Sequence, residues 1–102
     1  MENIKEKNGA VKTIALKKPM ADGKTELALD FDKVTGYVLI ECEKEAKKED
    51  PAITVQALSM VYKARVAAAA SGTKYDDILS LPGRDFSAVT AAVQAFLLDS
   101  ED

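Results

Sequence analysis

Seven carboxylates, Asp30, Asp32, Glu41, Glu43, Glu45, Glu49 and Asp50, gather between positions 30 and 50. Paired carboxylates can do general acid–base work, and several together can hold a divalent cation. Their spacing points elsewhere. Glu41, Glu43 and Glu45 stand two residues apart, and helix neighbours at that spacing point away from one another. They alternate with Lys44, Lys47 and Lys48, which is the pattern of a solvated, ion-paired face. A second group, Gly83-Arg84-Asp85, opens a helix and so stands where anions bind. One glycine without GxxxxGK[ST] does not make a phosphate loop, and Arg84 can equally pair with Asp85 or with an acidic partner. Tyr62 and Tyr75 offer faces for base stacking. Nucleic-acid readers set such rings among basic residues, whereas the surroundings here are acidic. Cys42 falls on an apolar helical stripe, where a buried structural thiol is expected.

What is missing narrows the chemistry further. With no histidine, the chain lacks the commonest general base and the commonest transition-metal ligand. A Ser-His-Asp or Cys-His arrangement within the chain is impossible. The single cysteine cannot build a four-ligand zinc site or an internal disulfide, which fits a reducing cytoplasm. The expectation is therefore a protein without catalytic residues, metal or cofactor.

Residues 1–24 carry six lysines against Glu2, Glu6 and Asp22, a net +3, while the remainder carries eight basic and fourteen acidic residues, a net −6. An acidic body argues against binding a phosphate backbone. No apolar run approaches the roughly 20 residues that cross a bilayer, and the first residues hold no apolar signal-peptide core. Apolar residues at 47% and charged residues at 30% suit a folded domain. We place it at residues 11–98, with a polar, disordered tail at 1–10 and an acidic tail at 99–102.

These residues need elements to position them. Val11–Leu16 reads as a strand with Ile14 and Leu16 on one face, ended by Lys17-Lys18-Pro19. Asp22-Gly23 signals a tight turn. Thr25–Phe31 then alternates, with Leu27, Leu29 and Phe31 on one face. The pair forms a β-hairpin with one apolar face, and an isolated hairpin is marginal in water, so it must lie against helices or another subunit.

A first helix follows, capped by Asp32 or by Thr35, with the stripe Val34, Val38, Cys42, Ala46 broadened by Leu39 and flanked by Tyr37 and Ile40. Asp50-Pro51 stops it and starts a second helix, about Ala52–Ser71, apolar on two faces. One face reads Ile53, Ala57, Met60, Val61, Ala64, Ala68 and the other Val55, Leu58, Tyr62, Val66, Ala69. Such a helix is buried on two sides, one against the domain core and the other against a second protein. Gly72 ends it, and Thr73 with Asp76 matches a capping box for a short helix through Leu79. After Pro82-Gly83, Asp85 caps a last helix with the stripe Phe86, Val89, Val93, Phe96, Leu97. The fold class is α+β, an N-terminal hairpin on a small, mainly α-helical body of three to four helices.

The order of hairpin, charged helix, Ala-rich helix, Leu81-Pro82-Gly83-Arg84-Asp85-Phe86 and Phe96-Leu97-Leu98 resembles the tail assembly chaperones of long-tailed bacteriophages over roughly residues 11–98. Asp22-Gly23-Lys24 with Leu27, the run Phe31-Asp32-Lys33-Val34-Thr35-Gly36, and Glu43-Lys44-Glu45-Ala46 carry the rest of the likeness. The resemblance implies a non-enzymatic protein that binds the tape-measure protein, keeps its long apolar helices soluble and helps recruit tail-tube subunits. It further implies a homo-oligomer in the bacterial cytoplasm, absent from the mature virion, that binds neither nucleic acid nor membrane. A generic oligomeric protein–protein adaptor or regulatory module fits the same composition. On either reading Leu58, Tyr62, Arg65, Val66, Phe96 and Leu97 are the expected protein-binding residues, with simple core as their alternative role.

Overall fold

A computed structural model describes residues 11–52 and 59–98 of the chain. The two alternating runs form an antiparallel hairpin, β1 (Val11–Ala15) and β2 (Glu26–Asp30), with Val11 opposite Asp30 and Ile14 opposite Leu27. Because side chains alternate along a strand, Ile14, Leu27 and Leu29 enter the core while Thr13, Ala15 and Ala28 stay exposed. The Asp-Gly pair closes the hairpin's far end. Gly23 donates its N–H to the Met20 carbonyl at 2.8 Å, and Met20 donates to Lys24 at 2.9 Å. Within the 16–25 connection, Ala21, Asp22 and Gly23 make a three-residue turn between Met20 and Lys24, and Gly23 is its one residue with positive φ, at +93°.

The second strand ends one residue earlier than its alternation predicts. The Asp30 carboxylate accepts the Asp32 N–H at 3.1 Å and turns the chain into a 3-10 turn, Phe31–Lys33. Phe31 swings with it and stacks on Phe96, ring centroids 4.3 Å apart and planes within 4°. Of the two candidate caps for the next helix, Thr35 serves. Its hydroxyl accepts the Val38 N–H at 3.4 Å and starts α1 (Gly36–Glu49), whose Cys42 and Ala46 are buried.

The Ala-rich helix begins later than the Asp50-Pro51 signal implies. Asp50 instead accepts the Ala52 N–H at 3.2 Å in a local turn, and Ser59 caps α2 (Met60–Ser71) through the Tyr62 N–H at 3.1 Å. The helix predicted over 53–58, with Leu58, and the tails expected at 1–10 and 99–102 lie outside the described residues. Gly72 ends α2 in the left-handed conformation, φ +69°, as its type predicts. The Thr73 capping box does not form. α3 (Tyr75–Leu79) takes Lys74 as its cap residue, with no side-chain bond, which puts Asp76 too early in the first turn to complete the box.

The last helix, α4 (Gly83–Leu98), also departs from expectation at its start. Phe86 donates to the Pro82 carbonyl at 2.8 Å, so the helix opens ahead of Asp85. Asp85 therefore sits inside the first turn, 1% exposed, and does not cap it. Its two carboxylate oxygens accept the backbone N–H groups of Lys17 at 2.9 Å and Lys18 at 3.2 Å. These are the donors freed where β1 stops pairing, so one buried carboxylate ties the hairpin to α4. The α4 dipole favours a negative charge at that end.

α2 is the hub. It packs against α1, α3, α4, β2 and the 3-10 turn. Ala64, Val66 and Ala67 are fully buried, and the small alanine side chains let these neighbours come close. Val89 and Val93 of α4 complete the core, with Phe86, Phe96 and Leu97 packed at its edge. The architecture is α+β, a two-stranded antiparallel hairpin followed by four α-helices among the described residues. None of those helices is long and apolar enough to cross a membrane.

Replacing Asp85 with Asn keeps the shape but turns one acceptor into a donor facing a backbone N–H. We expect a loss of about 1–3 kcal/mol in urea unfolding. The exposed Asp76→Asn should stay within about 0.5 kcal/mol of the parent.

Candidate protein-binding surface

The residues predicted to contact a partner are largely spent inside the chain. Val66 is fully buried and Tyr62 is 8% exposed, so neither is presented to a docking protein. Phe96 is half-buried under its stack with Phe31, and Leu97 packs on the core edge. Arg65 is held within the fold. Its Nη2 lies 3.0 Å from Glu49 Oε1, and its guanidinium carbon sits 3.8 Å from the centre of the Tyr75 ring. The second apolar face of α2, expected to meet another protein, is covered from inside by the chain's own elements. Among the described residues of α2, Met60, on the other face, is the one large apolar side chain left exposed.

Glu49, Arg65 and Tyr75 form a clamp that joins the last residue of α1, the middle of α2 and the first residue of α3. The Tyr75 hydroxyl donates to the same Glu49 Oε1 at 2.9 Å. Burial, followed by that hydrogen bond and the Glu49 charge, pushes the Tyr75 phenol up to about 12, against the pull of Arg65. Burial also raises the Cys42 thiol, with Arg65 opposing and Glu41 adding to the shift. A thiol held protonated is a poor nucleophile and a poor metal ligand. Tyr62 is raised chiefly by burial too, with Cys42 and Glu43 contributing. No three His, Cys, Asp or Glu side chains stand together to hold a metal among the described residues. The clamp is built to fasten helices.

The Gly83-Arg84-Asp85 turn has its carboxylate turned onto the hairpin backbone, which puts a negative group where an anion would sit. Beside it a cleft of about 390 Å³ runs between the hairpin's end and α3, lined by Lys18, Met20, Lys24, Asp77, Ser80 and Pro82 among others. Its two lysines are offset by Asp22 and Asp77, which leaves it no preference for charge.

Exposed apolar surface lies elsewhere. Tyr37 is 89% exposed and Ile40 55%, one turn apart on α1. At 100° per residue both fall about 140–160° around the helix from buried Cys42, directly away from the core. Exposed Lys44, Lys47 and Lys48 continue the same outward face towards the helix's C-terminal end. Sequence periodicity names Tyr37 and Ile40 only as flanks of the inward stripe. Their outward placement is legible in the helical wheel, since they stand opposite that stripe. That no other described element covers them is a fact of tertiary arrangement. The remaining exposed large apolar side chains among the described residues, Val11, Met60, Leu79 and Leu98, each belong to a different element.

No protein-family model, curated protein or solved structure matches the chain.

The clamp has a pH signature. Tyr75 gives up its proton near pH 10 when unfolded and near 12 in the fold. A phenol with a raised pKa contributes its full stability below pH 10 and loses it as pH climbs towards 12. Urea midpoints measured from pH 8 to 12 should fall above pH 10, and Tyr75→Phe should flatten part of that fall. Identical slopes in the two proteins would show that the bond to Glu49 contributes nothing.

Proposed function

We propose that this protein is a non-enzymatic tail assembly chaperone of a long-tailed bacteriophage. In this reading it binds the tape-measure protein, keeps that client's long apolar helices soluble and helps assemble the tail tube. It acts in the cytoplasm of the bacterial host as a homo-oligomer and is left out of the finished virion.

The observation that carries the reading is the pair Tyr37 and Ile40, held out from the core on α1. Fully burying one large apolar side chain contributes about 1.5–3 kcal/mol, whereas an exposed ion pair contributes about 0–1 kcal/mol. Two such side chains on one face are therefore the strongest attractive feature that α1 presents to another protein. The resemblance to tail assembly chaperones supplies the kind of client, a protein with apolar helices in need of cover. The motif behind that resemblance has a structural part to play here. Leu81 is core, Asp85 ties down the hairpin and Phe86 packs at the core edge. The client-binding residues thus lie outside the motif that points to the family.

Co-expression with a tape-measure protein tests this. The soluble fraction of that client should rise several-fold, and the double substitution Tyr37→Ser with Ile40→Ser should remove most of the gain. Both side chains are exposed, so the variant should keep the parent's circular dichroism and thermal midpoint. A client no more soluble with this protein than without it would reject the reading.

A further inference from the structure

The outward face of α1 is divided along its length. Its first half carries Tyr37 and Ile40, and its second half carries Lys44, Lys47 and Lys48, all exposed. By the same 100° count the three lysines lie about 120–160° from Cys42, in the sector that holds the apolar pair. Glu41 and Glu43 stand to either side at about 100°, flanking this sector without entering it. Lys48 leans back to Glu45 at 3.3 Å while its side chain stays 74% exposed, so it remains available. The face is apolar at one end and cationic at the other over the roughly 21 Å of a 14-residue helix.

From this division we infer that the α1 face docks one amphipathic helix of a partner protein, acidic towards its own N-terminus and apolar beyond. This rests on the reading of Tyr37 and Ile40 as the client-binding pair and adds the client's charge and direction. Charge complementarity selects acidic side chains opposite the lysines, and like charges there would repel. Antiparallel packing puts the partner's N-terminal turns beside those lysines. Acidic residues are at home in the first turn of a helix, because they complement the helix dipole. The apolar half of the partner then falls on Tyr37 and Ile40, in the mode of a helix laid against an apolar strip. A partner that is apolar throughout would leave the lysines opposite nothing they can bind.

Two stapled helical peptides of about 14 residues test this, since unstapled helices that short are marginal in water. Both carry leucines on one face of the second half. One carries glutamates on that face of the first half, and the other carries lysines there. Fluorescence anisotropy at low salt should show the glutamate peptide binding about tenfold or more tighter than the lysine peptide, a difference of about 1.4 kcal/mol. The double variant Lys44→Glu with Lys47→Glu should invert the preference, and added salt should shrink it. Tyr37→Ser with Ile40→Ser should weaken both peptides.

Equal affinity for the two peptides, with binding still dependent on Tyr37 and Ile40, overturns the charge inference and leaves the client-binding reading standing. Binding that ignores Tyr37 and Ile40, or no binding at all, overturns both. If light scattering shows the protein pairing through this face, with Ile40→Ser dissolving the pairs, the occupant is a second copy and the inference is again overturned.

Discussion

The arrangement of this chain rests on how closely α2 lets other elements approach. Ala64, Ala67 and Ala70 present little more than backbone, so β2, α1, α3 and α4 can all share one short helix as their common support. A larger side chain at any of these positions would push a neighbour away, and close-packed interiors do not absorb such changes freely. The hairpin depends most on this, because two strands do not hold together in water without a surface to lie on. Leu27 and Leu29 find that surface in the core, and Asp85 secures the end of β1 from the other side.

This centre decides what is left for function. With α2 enclosed by its neighbours, apolar surface has to be sought on the outer elements, and α1 is the only one that sets two large apolar residues side by side among those described. The Glu49–Arg65–Tyr75 clamp then acquires a purpose, since it steadies the far end of the helix whose outer face is proposed to meet the client. A docking face held at one end by Thr35 and its cap, and at the other by Glu49, loses little freedom when a partner arrives.

Features set by near neighbours in sequence were legible. Strand alternation put Leu27 and Leu29 inside, Gly72 ended its helix, and the Val34, Val38, Cys42, Ala46 stripe faced the core. Features set by distant partners were not. Asp85 looks like a helix cap locally, yet its acceptors are used 67 and 68 residues away, where the chain leaves β1. Phe31 continues a strand pattern, but the Asp30 carboxylate turns the chain there and the ring stacks on distant Phe96. Among the described residues of α2, Met60 is exposed, while Tyr62, Ala64, Val66, Ala67 and Ala70 are buried. Which molecule buries them is a tertiary question that periodicity does not address, and the chain's own elements do so. For the same reason periodicity marks Tyr37 and Ile40 only as flanks, because a helical wheel shows which residues face outward without showing which stay uncovered.

The central claim is that α1, and not the hairpin, faces the client. A photo-crosslinking amino acid placed at position 37 in the protein co-purified with a tape-measure protein tests it most directly. Strong crosslinks to the client from position 37, and few from the exposed hairpin position 13, are predicted. The reverse pattern, crosslinks from position 13 with position 37 silent, would contradict the account.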